Sequence, residues 1–168
     1  MDQRPKIKVK REPLDWAIEI IGFLILIAAA VYVLKHYGSL PDKIPTHYGL
    51  NGNPDGFGNK STLLILLIVT ASMFTGLIVL NKYPHLFNYP TALTSDNAPK
   101  LYQQASRLIR SLNTVIVISF SYLIYSTIQT AFNSQSGLGS YFTPVFLISI
   151  FGLIAFYLFQ TFKSARPT

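Results

Sequence analysis

Three side chains suited to ligand binding or proton transfer, Asp42, His47 and Asp55, fall in one polar stretch, LPDKIPTHYGLNGNPDGFGNK, at positions 40–60. Imidazole and carboxylate are the nitrogen and oxygen donors of zinc sites, and His36 could join them from just upstream. No two of these four stand at a spacing diagnostic of a metal, so none is assigned. Asn51, Asn53 and Asp55 followed by Gly56 imitate the opening of a calcium loop, where oxygens alternate and a glycine sits sixth. The twelfth position is Thr62 instead of a bidentate Glu, and only one of the three ligands is charged, so calcium is not assigned either. A catalytic reading lacks a nucleophile unless Thr46 or Tyr48 serves. The chain has no HExxH, no GxSxG, no phosphate-cradling glycine loop and no paired carboxylates in an apolar site. The expectation is therefore no enzyme, no catalytic residue and no cofactor, with Asp42, His47, Tyr48, Asn51 and Asp55 as candidates for recognising a ligand or partner.

The stretch has the composition of a built turn. Pro41, Pro45 and Pro54 each fix a backbone angle, while Gly49, Gly52, Gly56 and Gly58 permit positive φ. Asn51-Gly52 and Asp55-Gly56 are strong turn dipeptides, and Thr46, His47 and Tyr48 between them suit a short extended piece. These features predict a small hairpin over the mouth of whatever lies beneath, with Tyr48 and Phe57 packing down.

What lies beneath is membrane-spanning. Half of the 168 residues are hydrophobic, 12% are charged, and mean hydropathy is +0.36. About 20 apolar residues at 1.5 Å each cross the hydrocarbon core. Four segments qualify, 14–37, 61–81, 112–132 and 141–162, the last two joined by a turn at 133–140 rich in Gly and Ser. The predicted fold is an all-α integral membrane protein of four transmembrane helices in a single membrane domain. A compact outward loop (38–60) follows the first helix, and an amphipathic interfacial helix lies in the connection (82–111) before the third. The first span is longer than a signal-peptide core and reads as a retained anchor after the basic tail 1–13. There is no cysteine, which excludes disulfides and thiolate chemistry.

Eleven Lys and Arg flank one side of these spans, including the tails 1–13 and 163–168, against Lys35, Lys43 and Lys60 on the other. The positive-inside bias puts both termini in the cytoplasm and the 40–60 loop outside. The net charge of +7 is accounted for by anionic headgroups, and no basic groove interleaved with aromatics points to nucleic acid.

Within the connection, TSDN from Thr94 and Pro99 suit a helix start near Ser95. Leu101, Ala105, Leu108, Ile109 and Leu112 form an apolar stripe, with Lys100, Gln103, Gln104, Arg107 and Arg110 opposite, which predicts a ramp at headgroup level or a docking face. On the third span Thr114, Ser121, Tyr122, Tyr125 and Gln129 form a polar stripe expected to turn inward, as interhelical glue or a polar pathway. Ser72 and Gly76, beside Thr75, offer a close-approach surface on the second span. Glu19 is expected near the cytoplasmic interface as a snorkelling or paired carboxylate, with Asp15 and Arg11 four and eight residues before it on roughly the same face.

The string at 40–60 after a first span, with a second following at once, resembles the signature of a bacterial membrane family of unknown function, whose domain also forms the N-terminal part of SdpI-type immunity proteins. FNYPTALTSDNAPKLYQQASRLIRSL, at 87–112, is similar to the cytoplasmic segment of its stand-alone members. The resemblance implies a multi-span protein of the bacterial inner membrane and no established catalytic residues. It associates the chain with immunity to a secreted toxin and with signalling that sequesters a repressor at the membrane. Three functions follow as expectations: a recognition or immunity module acting through the outward loop on a secreted peptide, an accessory subunit of a membrane complex, or a small transporter or lipid-handling protein.

Overall fold

The computed structural model describes residues 4–133 and 136–165. Four helices, α1 (Pro13–His36), α2 (Ser61–Leu80), α3 (Ala98–Ala131) and α4 (Phe142–Ala165), are each long and apolar enough to cross a membrane, which makes the chain a multi-pass membrane protein. Between α1 and α2 lies a hairpin of β1 (Lys43–Tyr48) and β2 (Pro54–Asn59). The helices alternate in direction, so both termini share one end, here the terminal end, and the hairpin shares the other with the α3–α4 turn. Arg4 donates to the carbonyls of His85 and Phe87 at the terminal end, and the Leu138 amide donates to the Gly52 carbonyl at the hairpin end.

In lipid there is no water to drive apolar faces together, so contacts come from close approach and interhelical polar bonds. α1, α2 and α3 meet that requirement at Gly22, where a methyl group would stand 3.1 Å from both Phe74 and the Thr114 hydroxyl. Thr114 donates to the Ile18 carbonyl at 3.0 Å and Asn113 to the Phe74 carbonyl at 3.1 Å. Leu26, Phe74 and Val117 fill the middle, and Val33, Leu40, Ile44, Leu63, Ile124 and Ile128 fill the hairpin end. α4 packs chiefly on α3 and leaves most of its surface to lipid.

Three expectations are corrected. The interfacial helix and the third span are one unbroken helix, because between Lys100 and Ala131 there is neither glycine nor proline to end it. Its faces are also assigned differently: Leu101 is buried, but so are Tyr102, Ser106, Arg110, Asn113 and Thr114, while Leu108, Ile109 and Leu112 are only half-buried. A periodicity rule calibrated on water places apolar residues inside; in a bilayer polar residues can turn inward to partners, as Arg110, Asn113 and Thr114 do here. Likewise Ser72 and Gly76 lie exposed on α2, and a methyl group on Gly76 would meet nothing.

Candidate functional site

The hairpin forms by strand alternation. Antiparallel pairing runs from Lys43 opposite Asn59 to Tyr48 opposite Pro54, with irregularities between Pro45 and Tyr48. In β2 the period of two puts Asp55, Phe57 and Asn59 on the exposed face and Pro54, Gly56 and Gly58 on the half-buried one. Glycine is needed on that inner face: a methyl group on Gly56 would stand 2.9 Å from the His47 Cβ. In β1 Ile44 and Pro45 are buried and Lys43, Thr46 and His47 are exposed.

The hairpin is fixed to the bundle at three places. The Tyr48 hydroxyl shares a 2.8 Å hydrogen bond with Thr127 of α3. At its base, Lys60 donates to the Leu40 carbonyl at 3.1 Å and pairs with Asp42 at 3.2 Å. At its tip, Gly52, with φ of +78°, lies against Gly139, and its carbonyl accepts from Leu138 at 2.8 Å. Thr130 and Ser126 hold the same turn through Gly137.

Of the residues expected to recognise a ligand, His47 and Asp55 come together, with Nδ1 hydrogen-bonded to a carboxylate oxygen; their side chains are 74% and 54% exposed. Asp42 does not join them, because Lys60 holds it at the hairpin base. Asn51 caps its own turn, accepting from the Asn53 amide. Tyr48 packs down as expected, and burial pushes its phenol pKa up. Phe57 does not pack down: it shares the outward face with Asp55 and is 54% exposed, as is Leu50 at the tip, at 85%. Among the described residues no three His, Asp or Glu side chains are grouped to hold a metal.

The polar stripe of α3 is not a single path. Gln129 donates to the Tyr32 hydroxyl, Tyr122 to the Leu138 carbonyl, and Tyr125 lies exposed against Tyr32 in an aromatic belt with His36 and Phe132. Thr114 of the stripe does turn inward, to the Ile18 carbonyl, and at the hairpin end Ser126 and Thr127, next to Tyr125, are buried and hold the hairpin and the turn.

Sequence reasoning missed a second constellation at the terminal end. Asp15 is fully buried and pairs with Arg107 at 2.9 Å and Arg110 at 3.6 Å; Arg110, itself buried, pairs with Glu19 at 2.8 Å; Arg11 pairs with Glu19 and Arg107 with Glu12. Three cations and three carboxylates thus cancel across the α1–α3 contact. Arg11, just before α1, was legible as sharing a face with Glu19, but the arginines that neutralise Asp15 lie over ninety positions away. The usable signal was Asp15 and Glu19 at i, i+4 facing Arg107 and Arg110 at i, i+3.

Residues 24–71, which build the second half of α1, the hairpin and the first half of α2, match a domain of unknown function, DUF1648. The chain is also similar to an uncharacterized protein of Archaeoglobus fulgidus, 29% identical over 163 residues, with 85% of this chain and 87% of that protein covered. No solved structure matches. Both similarities are to sequences of unknown function, and the domain match at 24–71 covers the span-hairpin-span unit that presents His47 and Asp55.

Proposed function

We propose that the chain is a non-enzymatic protein of a prokaryotic, bacterial-type cytoplasmic membrane. Both termini face the cytoplasm, and the hairpin is an outward recognition module of the immunity or sensor kind. The carrying observation is the combination of a hairpin anchored at base, strand and tip with an outer face that leaves His47, Asp55, Leu50 and Phe57 exposed. A tethered scaffold presenting a hydrogen-bonded His–Asp pair beside apolar side chains suits capture of a peptide at little ordering cost. The charge bias of the connecting segments supports the orientation.

The test is protection. Cells expressing the chain are challenged with secreted envelope-active peptides, and His47→Ala and Asp55→Ala are expected to lower the tolerated dose on the order of tenfold, with unchanged protein in the membrane fraction. Full protection by both variants would overturn the role of the hairpin.

A second reading, an accessory subunit of a membrane complex, draws on the exposed small surface of Ser72 and Gly76 on α2. It expects a larger assembly to survive mild-detergent purification from the native membrane; recovery of the isolated chain alone would count against it.

A further inference from the structure

At the terminal end, the start of α1, the first turns of α3 and the last turns of α4 border two adjoining clefts of about 360 and 420 Å³ that share Lys100 and Gln103. Leu14, Phe156 and Tyr157 form the apolar part of the first, and Gln104 and Gln160 its polar part. The second is bounded by the extended segment before α1, in which Ile7 and Val9 are half-buried while Lys8 and Lys10 are exposed along its edge. Arg4 holds that segment in place through the carbonyls of His85 and Phe87.

The charge in the clefts is unbalanced. Glu12, the one carboxylate among the described lining residues, has one oxygen on Gln103 and the other on Arg107, and Arg107 is in turn spent on Glu12 and Asp15. Lys8, Lys10 and Lys100 have no ionic partner among the described residues. Depth is marked by Trp16, exposed on α1 with the Arg11 guanidinium 4.6 Å over its ring, an arrangement suited to the headgroup boundary. A cationic rim over an apolar floor at that depth fits an amphiphile better than a soluble anion.

We propose that this groove seats an anionic phospholipid from the leaflet at the terminal end. Its phosphate lies among Lys8, Lys10 and Lys100, and an acyl chain runs over Leu14 and Phe156. The interaction is independent of what the hairpin binds.

The full chain, delipidated in detergent, is titrated with phosphatidylglycerol or with phosphatidylcholine of the same acyl chains, and bound lipid is counted by native mass spectrometry. Phosphatidylglycerol is expected to be retained at concentrations on the order of tenfold lower. Lys8→Gln with Lys10→Gln and Lys100→Gln should abolish the difference, Lys100→Arg alone should keep it, and Lys43→Gln at the other end should leave it untouched. Inorganic phosphate at millimolar concentration should not displace the lipid. Equal retention of the two lipids, an unchanged preference in the triple variant, the same loss in Lys43→Gln, or displacement by inorganic phosphate would each overturn the proposal. A thermal melt of the triple variant matching the parent separates loss of binding from loss of fold.

Discussion

Asp15→Asn is expected to destabilise the bundle by about 3–5 kcal/mol, the usual cost of removing one partner from a buried ion pair and leaving the other uncompensated. Asn still accepts from the Glu12 amide, which Asp15 now caps at 2.8 Å, so the helix start is preserved and the effect isolates charge. After the change, Arg11, Arg107 and Arg110 face only Glu12 and Glu19, with Arg110 buried where solvent cannot screen it. The double variant Asp15→Asn with Arg107→Gln restores the balance and should recover most of the loss. Thermal unfolding of the purified chain in detergent measures both. A single variant melting within about 2 °C of the parent would show that the network is not structural. The exposed member of the network adds a weaker pH dependence. Donation by Arg107, and then by Gln103, holds the Glu12 carboxyl below its ordinary value. Its contribution is therefore present above the unfolded carboxylate pKa of about 4.3 and is lost as pH falls through the lower folded value.

Gly52→Ala should free the hairpin tip from the bundle. A methyl group there would sit 2.4 Å from the Gly139 carbonyl oxygen, and the residue holds a φ of +78° that L side chains rarely adopt. Both obstacles are backbone, so no side-chain rotation relieves them, and the Leu138-to-Gly52 hydrogen bond is the contact that gives way. The cost is about 1–3 kcal/mol from the backbone angle alone, and the clash adds to it. Gly49→Ala is the control: its methyl would approach side-chain oxygens at 3.2 and 3.3 Å and carries no positive φ. Limited proteolysis at the hairpin should be markedly faster in Gly52→Ala than in Gly49→Ala. Equal rates would mean that the tip contact does not hold the hairpin.

The contrast between those two glycines shows what was readable in the sequence and what was not. Four apolar segments, their order and the turn chemistry between them are local properties, and a helix long and apolar enough to cross a membrane overlaps each, the third beginning fourteen residues before the expected span. The hairpin itself follows from Asn51-Gly52 and the spaced prolines. Its facing was misjudged at Phe57, although Asp55, Phe57 and Asn59 at alternate positions already define one face of a strand. The pairing of Gly52 with the α3–α4 turn joins positions far apart in the chain, and no local pattern announces it. The same holds for Asp15 with Arg107 and Arg110: each half is visible as a charged pair on its own helix, but only the packing of α1 on α3 brings them to 2.9 and 3.6 Å. Thr127 was passed over for Tyr125 because one hydroxyl in a greasy span looks like another until the turn of the helix is known.

The 34 residues of α3 make a rod about 51 Å long, against a hydrocarbon core of about 30 Å. One end carries Thr127, which grips the hairpin, and the other carries Arg107 and Arg110, which grip α1. Neither glycine nor proline follows Pro99 in α3. One unbroken helix therefore joins the grip on the hairpin to the six charges that seat α1, so the two constellations share a single element.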